Sequence, residues 1–250
     1  MEKLTGNDMQ AARLLFEKCN HNQAVIFSIF EGQFDGCVYA NRRDQMDWAL
    51  LQTPLLQHFI AGTPTEGCEA ELEEILFSII LGEQSEKEIV VLSDDITVWD
   101  GVLRNTYTKR NGVCDGRKIF NFSLKNYRAI PRPTIPEELE AVVELCRAAP
   151  MSHFDTWSAK LFVNGKPVTH CDAFAVGKGL AEIDIGTEEA FRGHGYATMA
   201  AILLIDKLLE VGLTPTWSTW PFRVESQRVA VKLGFVPQPD ATAWIWMEGM

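Results

Sequence analysis

The sequence predicts a mixed α/β (α+β) fold in which a mostly antiparallel sheet is flanked by helices, and three observations carry that prediction. First, apolar runs at 159–163 and 168–175 flank Asn164-Gly165, the strongest hairpin signal in the chain. Gly177-Lys178-Gly179 then turns the chain into residues 180–186, giving three strands of an antiparallel meander. Second, the meander runs into two closely spaced glycines, Gly193 and Gly195, followed by helix, strand, helix and strand patterns. A strand-helix-strand crossover makes a parallel pair, normally right-handed. Third, Ile130-Pro131-Arg132-Pro133-Thr134-Ile135-Pro136 is too proline-rich to be an element interior, because each Pro removes a donor and fixes φ. It divides the chain into an N-terminal α/β domain, 1–130, and a second domain, 131–250.

In the N-terminal domain, residues 7–19 read as a helix with apolar Met9, Leu14, Leu15 and Phe16 and with Asn20 at its end. The apolar runs 24–30 and 36–40, separated by Glu31-Gly32-Gln33-Phe34-Asp35, read as a hairpin. Residues 46–51 and 57–61 are two further strands. Residues 69–80 form a helix with acidic residues in its first turn, favourable against the dipole. A short buried strand at 88–92, a helix at 96–107 and a strand at 117–124 follow.

In the second domain, Thr134 with Glu137 matches a capping box around Pro136. It predicts a helix with Leu139, Val142, Val143 and Cys146 on one side, stopping at Pro150. The helix 195–211 is apolar at Met199, Ile202, Leu203, Ile205, Leu208 and Leu209 and is closed by Gly212. A strand at 214–220, a helix at 224–233 closed by Gly234, and a strand at 242–248 complete the order.

Composition excludes several classes. The 250 residues are 46% hydrophobic with a net charge of −11, which opposes a nucleic-acid surface, since phosphate binding needs clustered Lys and Arg. No apolar run approaches the ~20 residues of a membrane span, and Met1-Glu2-Lys3 leads into a polar segment with no apolar signal-peptide core. A cytoplasmic protein without nucleic-acid or membrane partners is expected, as a monomer or a homodimer. The six cysteines are scattered and none forms C-x-x-C, which argues against a zinc site and a disulfide framework. No metal is expected, and several cysteines read as buried reduced thiols. An acidic surface is compatible with a cationic amine substrate.

The stretch from Ile183 to Thr198 carries the chemistry. A tight glycine turn feeding a helix leaves several backbone N–H groups unpaired and pointing the same way. The helix dipole adds partial positive charge, which suits an anion such as a diphosphate. A dinucleotide fingerprint would need a third glycine where Thr198 stands, and glycines immediately after the strand, whereas Thr187 to Arg192 intervene. A P-loop fails because no Gly-Lys-Ser/Thr follows.

With these residues in hand, the C-terminal half resembles the GNAT superfamily of N-acetyltransferases. The family signature Gln/Arg-x-x-Gly-x-Gly/Ala is here Arg192-Gly193-His194-Gly195-Tyr196-Ala197. A strand precedes it; a long apolar helix, a strand, a helix and Leu233-Gly234-Phe235 follow, so the match covers roughly 138–248. The fuller string from Glu182 through Thr198 to Trp217-Ser218, Ser226 and Lys232 is similar to a subgroup that includes zwittermicin-resistance acetyltransferases, which carry an extra N-terminal half. For residues 1–130 a degenerate GNAT-like repeat is an open reading, with no repeated motif to carry it.

The resemblance implies acetyl-CoA as cosubstrate and a small-molecule amine as acceptor. Backbone N–H groups of Arg192, Gly193, His194, Gly195, Tyr196, Ala197 and Thr198 would hold the coenzyme A pyrophosphate. Ile185, Gly186 and Thr187 would bond the pantetheine arm and acetyl carbonyl, and Ser226 would sit near the thiol. Two positions depart from the family: Arg223 stands where an Asn is frequent, and Ala230 where many members have a Tyr that protonates the departing thiolate. The non-catalytic alternative is an acyl-CoA sensor or scaffold.

Acetyl transfer to an amine needs a base, because only the neutral amine attacks. Glu182 and Asp184 share one strand face by two-residue alternation and are the candidates, against the bland reading of a solvated sheet face. His170 and Asp172 on the neighbouring strand are a reserve pair. Arg192 either contacts phosphate or orients the loop, His194 contributes its backbone, and Trp217 and Trp220 read as core.

Overall fold

The structure, a computed structural model, describes residues 1–85, 87–147 and 149–250. The chain opens with β1 (Glu2–Leu4), a 3-10 stretch (Gly6–Ala12) running into the single turn α1 (Arg13–Phe16), α2 (Gln23–Phe30), β2 (Cys37–Ala40), β3 (Trp48–Gln52) and β4 (Gln57–Gly62). Next come α3 (Cys68–Glu73), continued by a π-helical stretch (Glu74–Ile80) and α4 (Leu81–Glu83), then β5 (Glu88–Ser93), α5 (Ile96–Thr108), β6 (Val113–Asn121) and α6 (Leu124–Ala129). After the proline-rich link lie β7 (Leu139–Cys146), β8 (Thr156–Val163), β9 (Lys166–Gly177) and β10 (Leu180–Thr187). A 3-10 turn (Glu189–Phe191), α7 (Tyr196–Glu210), β11 (Thr214–Thr219), α8 (Val224–Lys232), β12 (Val236–Pro237) and β13 (Ala241–Met247) complete the chain.

These elements form two compact units, neither continuous in sequence. Residues 1–21, 34–117 and 240–250 make the first; residues 22–33 and 118–239 make the second. In the first, β1 to β4 are antiparallel neighbours, β5 lies parallel to β4, and β13 runs antiparallel to β5. In the second, β7 to β10 are antiparallel neighbours, β11 lies parallel to β10, and residues 118–120 of β6 run antiparallel to β11. Both units therefore contain four antiparallel strands, a helix, a parallel strand and a second helix; β13 completes the first, and residues 118–120 of β6 complete the second. The two units thus share one pattern of strands and connections.

Each unit has its own core. The first packs Trp48 edge-on against Trp99 at 6.4 Å, with Ile75, Leu76 and Ile80 from the π-helical stretch and Trp244 from β13. The second packs Ala200, Ala201, Leu204, Ile205 and Leu208 of α7 with Ala173, Ala181 and Ile183 of β9 and β10. Close apolar burial of this kind is the main favourable term in folding.

Three sequence expectations are corrected. Residues 139–146 are the strand β7, not a helix: Val142 and Val143 pair with Lys160 and Ala159 of β8. Two adjacent β-branched residues suit a pleated edge, and the ladder outweighs the capping signal at Thr134. Residues 23–30 are the helix α2, not a hairpin strand. A short continuous apolar run does not distinguish a buried strand from a buried helix, and here Ala24 to Phe30 are all buried. Within residues 7–19, a 3-10 stretch to Ala12 runs into the single turn α1, which ends at Phe16.

The correction at α2 matters for the second unit. α2 approaches β9 so closely that a Cβ at Gly177 would lie 2.4 Å from the Ser28 amide nitrogen. Just beyond it, the fully buried Gln33 mends a β-bulge. Phe174 is the unopposed residue of β9, between Ala175, which pairs with Glu182, and Ala173, which pairs with Ile183. Gln33 Nε2 donates to the Phe174 carbonyl at 3.0 Å, and its Oε1 accepts the Val176 N–H at 2.6 Å.

His58 in the first unit is fully buried, and its Nδ1 accepts the Thr53 N–H. Burial pushes its pKa down from 6.5 to about 4. The neutral ring contributes stability that is complete above pH 6.5 and is lost as pH falls through 4. Urea unfolding is expected to show a loss of about 3 kcal/mol over that window, and His58→Gln should remove that part of the pH slope.

All six cysteines are free thiols, with Cys19, Cys37, Cys68 and Cys171 buried. Among the described residues, no helix is long and apolar enough to cross a membrane. Nor is any group of three or more His, Cys, Asp or Glu placed to hold a metal ion.

Candidate functional site

The site grows from a divergence of two parallel strands. β10 and β11 pair from Leu180↔Thr214 to Glu182↔Thr216, and there the register ends although both strands continue. β10 stays with β9 as far as Thr187, and β11 turns to β6 over Trp217–Thr219. Among the described residues no ladder pairs the edge of Ile183–Thr187 on the β11 side, and Ile185, Gly186 and Thr187 lie on it. An open strand edge offers backbone N–H and C=O groups to an extended amide-bearing ligand.

Gly186 on this edge has its own constraint: a Cβ would lie 2.4 Å from His170 Cε1, because the two residues pair in register. Thr187 Oγ1 accepts the Thr169 hydroxyl at 3.1 Å, and Arg192 Nε donates to the Thr187 carbonyl at 3.2 Å. That last bond fixes the start of the turn. It also ties the Arg192 side chain to the end of β10.

The turn delivers the chain to α7. Gly193 and Gly195 have φ of +81° and +83°, and a Cβ added to either would meet nothing within 4 Å. Glycine is needed here for the left-handed conformation rather than for lack of room. Among the described residues no side chain caps α7, whose first turn contains Tyr196, Ala197 and Thr198 and carries no acidic residue. Among the described residues, nothing accepts a hydrogen bond from the N–H groups of Gly193, His194 and Gly195. His194 is exposed, with Nδ1 3.0 Å from the Arg192 carbonyl and its ring 5.5 Å from that of Tyr196. Unpaired N–H groups, a dipole end and open space fit an anion.

Glu182 stands where β10 and β11 part. It is only 2% exposed, so the solvated-face reading fails for it. Its Oε2 accepts the Thr216 hydroxyl at 2.5 Å and its Oε1 the Ser218 hydroxyl at 2.6 Å. Asn22 Nδ2 donates to Ser218 Oγ at 3.1 Å, so residue 22 reaches the same cluster. Neither Thr216 nor Asn22 is among the residues the sequence points to. Alternation along β11 puts Thr216 and Ser218 on one face, but no local signal ties Asn22 to it. Asp184 is exposed, opposite Asp172, which accepts the Ser158 hydroxyl at 2.5 Å. Among the described residues no hydrogen bond joins His170 to Asp172.

Ser226 lies in the first turn of α8, where its hydroxyl oxygen accepts Trp217 Nε1–H at 3.1 Å. Trp217 is 2% exposed and stacks edge-on against Phe235, so it is core. Ala230 is fully buried in the same core, and Arg223 is the N-cap residue of α8. Thus α8 presents neither the Tyr nor the Asn frequent in the family.

Residues 159–243, which run from β8 into β13, match the family model described as GNAT acetyltransferase. Over 98% of its length the chain is 22% identical to the uncharacterized N-acetyltransferase YdfB of Bacillus subtilis strain 168, 98% of which is covered. A GCN5-related N-acetyltransferase-like protein of Streptococcus suis 89/1591 shares the fold with a TM-score of 0.70 at 19% identity, over 96% of this chain and 100% of that one. A tandem GNAT protein from the clavulanic acid biosynthesis pathway shares it with a TM-score of 0.63 at 9% identity, over 100% of this chain and 99% of the other. Residues 159–243 are thus similar to the GNAT acetyltransferase family, and the chain shares its fold with these solved structures.

Proposed function

We propose that the chain is an N-acetyltransferase that moves an acetyl group from acetyl-CoA to a primary amine of a small molecule by direct attack in a ternary complex. The observation that carries this reading is the parting of β10 and β11 at Glu182 beside an uncapped glycine turn. The turn from Arg192 to Thr198 would hold the pyrophosphate through backbone N–H groups. The open edge at Ile185, Gly186 and Thr187 would pair with the pantetheine amides and direct an N–H at the acetyl carbonyl, where negative charge develops. Ser226 would lie near the thiol.

In the transfer, the amine nitrogen bonds the acetyl carbon and the carbon–sulfur bond breaks. Glu182, directly or through the Thr216 or Ser218 hydroxyl or a water, takes the proton the amine loses; Asp184 is the second candidate base. Water supplies the proton to the departing thiolate. A thiol of pKa ~8.5 leaves with little help, and Ala230 offers no acid. The resemblance to the zwittermicin-resistance subgroup favours a small-molecule acceptor. The test is thiol release from acetyl-CoA with a panel of primary amines, each product identified by mass. Amine-dependent release with an N-acetylated product supports the reading, and binding of acetyl-CoA without release from any amine favours the sensor.

A further inference from the structure

Glu182 is a buried carboxylate held by hydroxyls and, among the described residues, by no cation. A carboxylate taken out of water depends on every hydrogen-bond donor the fold supplies. Thr216 supplies one from the position of β11 that pairs with Glu182, and Ser218 supplies the other from two residues further along the same face. Ser218 Oγ also lies 3.1 Å from Asn22 Nδ2. A hydroxyl has one proton, and an ionised carboxylate only accepts. The Ser218 proton therefore points to Glu182 Oε1, and Asn22 is the donor to Ser218.

Two features of Asn22 serve that donation. Its φ of +49° is left-handed, a conformation that Asn tolerates better than most residues with a side chain. It is the N-cap residue of α2, and its carbonyl accepts the Ile26 N–H at 3.0 Å. An Asn in this place ordinarily caps the helix with its side chain. Among the described residues this one makes no such bond and sends its amide to Ser218, 196 positions away. Just past the other end of α2, Gln33 bridges the bulge of β9 that lies opposite Glu182 and Ile183. Between them Gly177 lets the helix backbone against β9. The amide of Asn22 is thus carried on an element locked to the strands that hold Glu182.

We infer that Asn22 is a positioning residue for acetyl transfer: by donating to Ser218 it commits the Ser218 proton to Glu182 and fixes how the carboxylate faces the amine. The inference rests on the reading of Glu182 as the base. Asn22 acts only through Ser218. With that hydroxyl held, each oxygen of Glu182 keeps one donor, and turning the carboxylate out of its plane gives up both bonds. Orienting a base in this way acts on the rate of the transfer and not on cofactor binding.

The test is steady-state kinetics of the full-length protein with acetyl-CoA and a primary amine that the wild type acetylates, with acetyl-CoA affinity read by calorimetry. Asn22→Asp keeps the size and the left-handed preference but only accepts, so it competes with Glu182 for the Ser218 proton. It is expected to lower kcat at least about tenfold, in the range for a hydrogen bond to a charged group, with acetyl-CoA affinity unchanged. Asn22→Gly keeps the φ and leaves the Ser218 proton on Glu182, so its expected loss is only about threefold, as for a neutral hydrogen bond. In a Ser218→Ala background, Asn22→Asp should lower kcat by no more than about a further twofold. A merely structural Asn22 gives the reverse order, because Gly removes more contact than Asp, and gives additive losses; either result overturns the proposal. If circular dichroism shows that Asn22→Asp does not fold, Asn22→Gly with Ser218→Ala decides. A loss from Asn22→Gly alone that vanishes in the Ser218→Ala background supports the proposal, and no loss, or an additive one, overturns it. An active wild type whose kcat Asn22→Asp does not change overturns the positioning role alone. A wild type that acetylates no amine overturns the acetyl-transfer reading, and this role with it.

Discussion

Gly195→Glu is expected to abolish acetyl-CoA binding while leaving the protein folded. Two effects act together at this position. Gly195 sits at φ +83° as the N-cap of α7, where a side chain costs about 1–2 kcal/mol. The space beside it is open, so a glutamate side chain fits sterically and places a carboxylate against the turn that would hold the pyrophosphate. Calorimetry should show affinity reduced at least about 100-fold, equivalent to roughly 2.7 kcal/mol. Circular dichroism should show an unchanged fold. Retained affinity in a folded variant would remove the glycine turn from the site.

Glu182→Gln is expected to lower kcat by roughly 100-fold or more, in the range for loss of a general base, and to leave acetyl-CoA affinity unchanged. The carboxylate accepts two hydroxyl hydrogen bonds, from Thr216 and Ser218. A carboxamide keeps the shape and one acceptor oxygen but takes no proton from an amine. Asp184→Asn is the comparison: if that change carries the rate loss and Glu182→Gln does not, Asp184 is the base and Glu182 is structural.

How much of this was legible in the sequence differs between the two units. The Asn164-Gly165 hairpin, the glycines at 193 and 195 and the apolar stripe of the following helix are local signals, and they placed β8 to β11 with α7 and α8 correctly. β7 was not legible, because Leu139, Val142, Val143 and Cys146 satisfy a helical spacing until β8 offers an edge to pair with. α2 was not legible either: its uninterrupted apolar run reflects burial on every side, which erases periodicity. Chain crossings were also hidden. Nothing local says that residues 22–33 fold with the second unit, or that β13 closes the sheet of the first.

At the candidate site the same division holds. The turn from Arg192 to Thr198 could be read because a φ above zero demands glycine and leaves a signature. The parting of β10 from β11, which gives Glu182 its place, is a property of pairing partners and has no residue signature. The hydroxyl pair on Glu182 comes from a strand more than thirty residues later, and Asn22 from the first tenth of the chain.

The most direct measurement is calorimetric titration of the full-length protein with acetyl-CoA and, separately, with NAD. Micromolar binding of acetyl-CoA at one site per chain, with no binding of NAD, is the predicted result. Tight NAD binding without coenzyme A binding would contradict it.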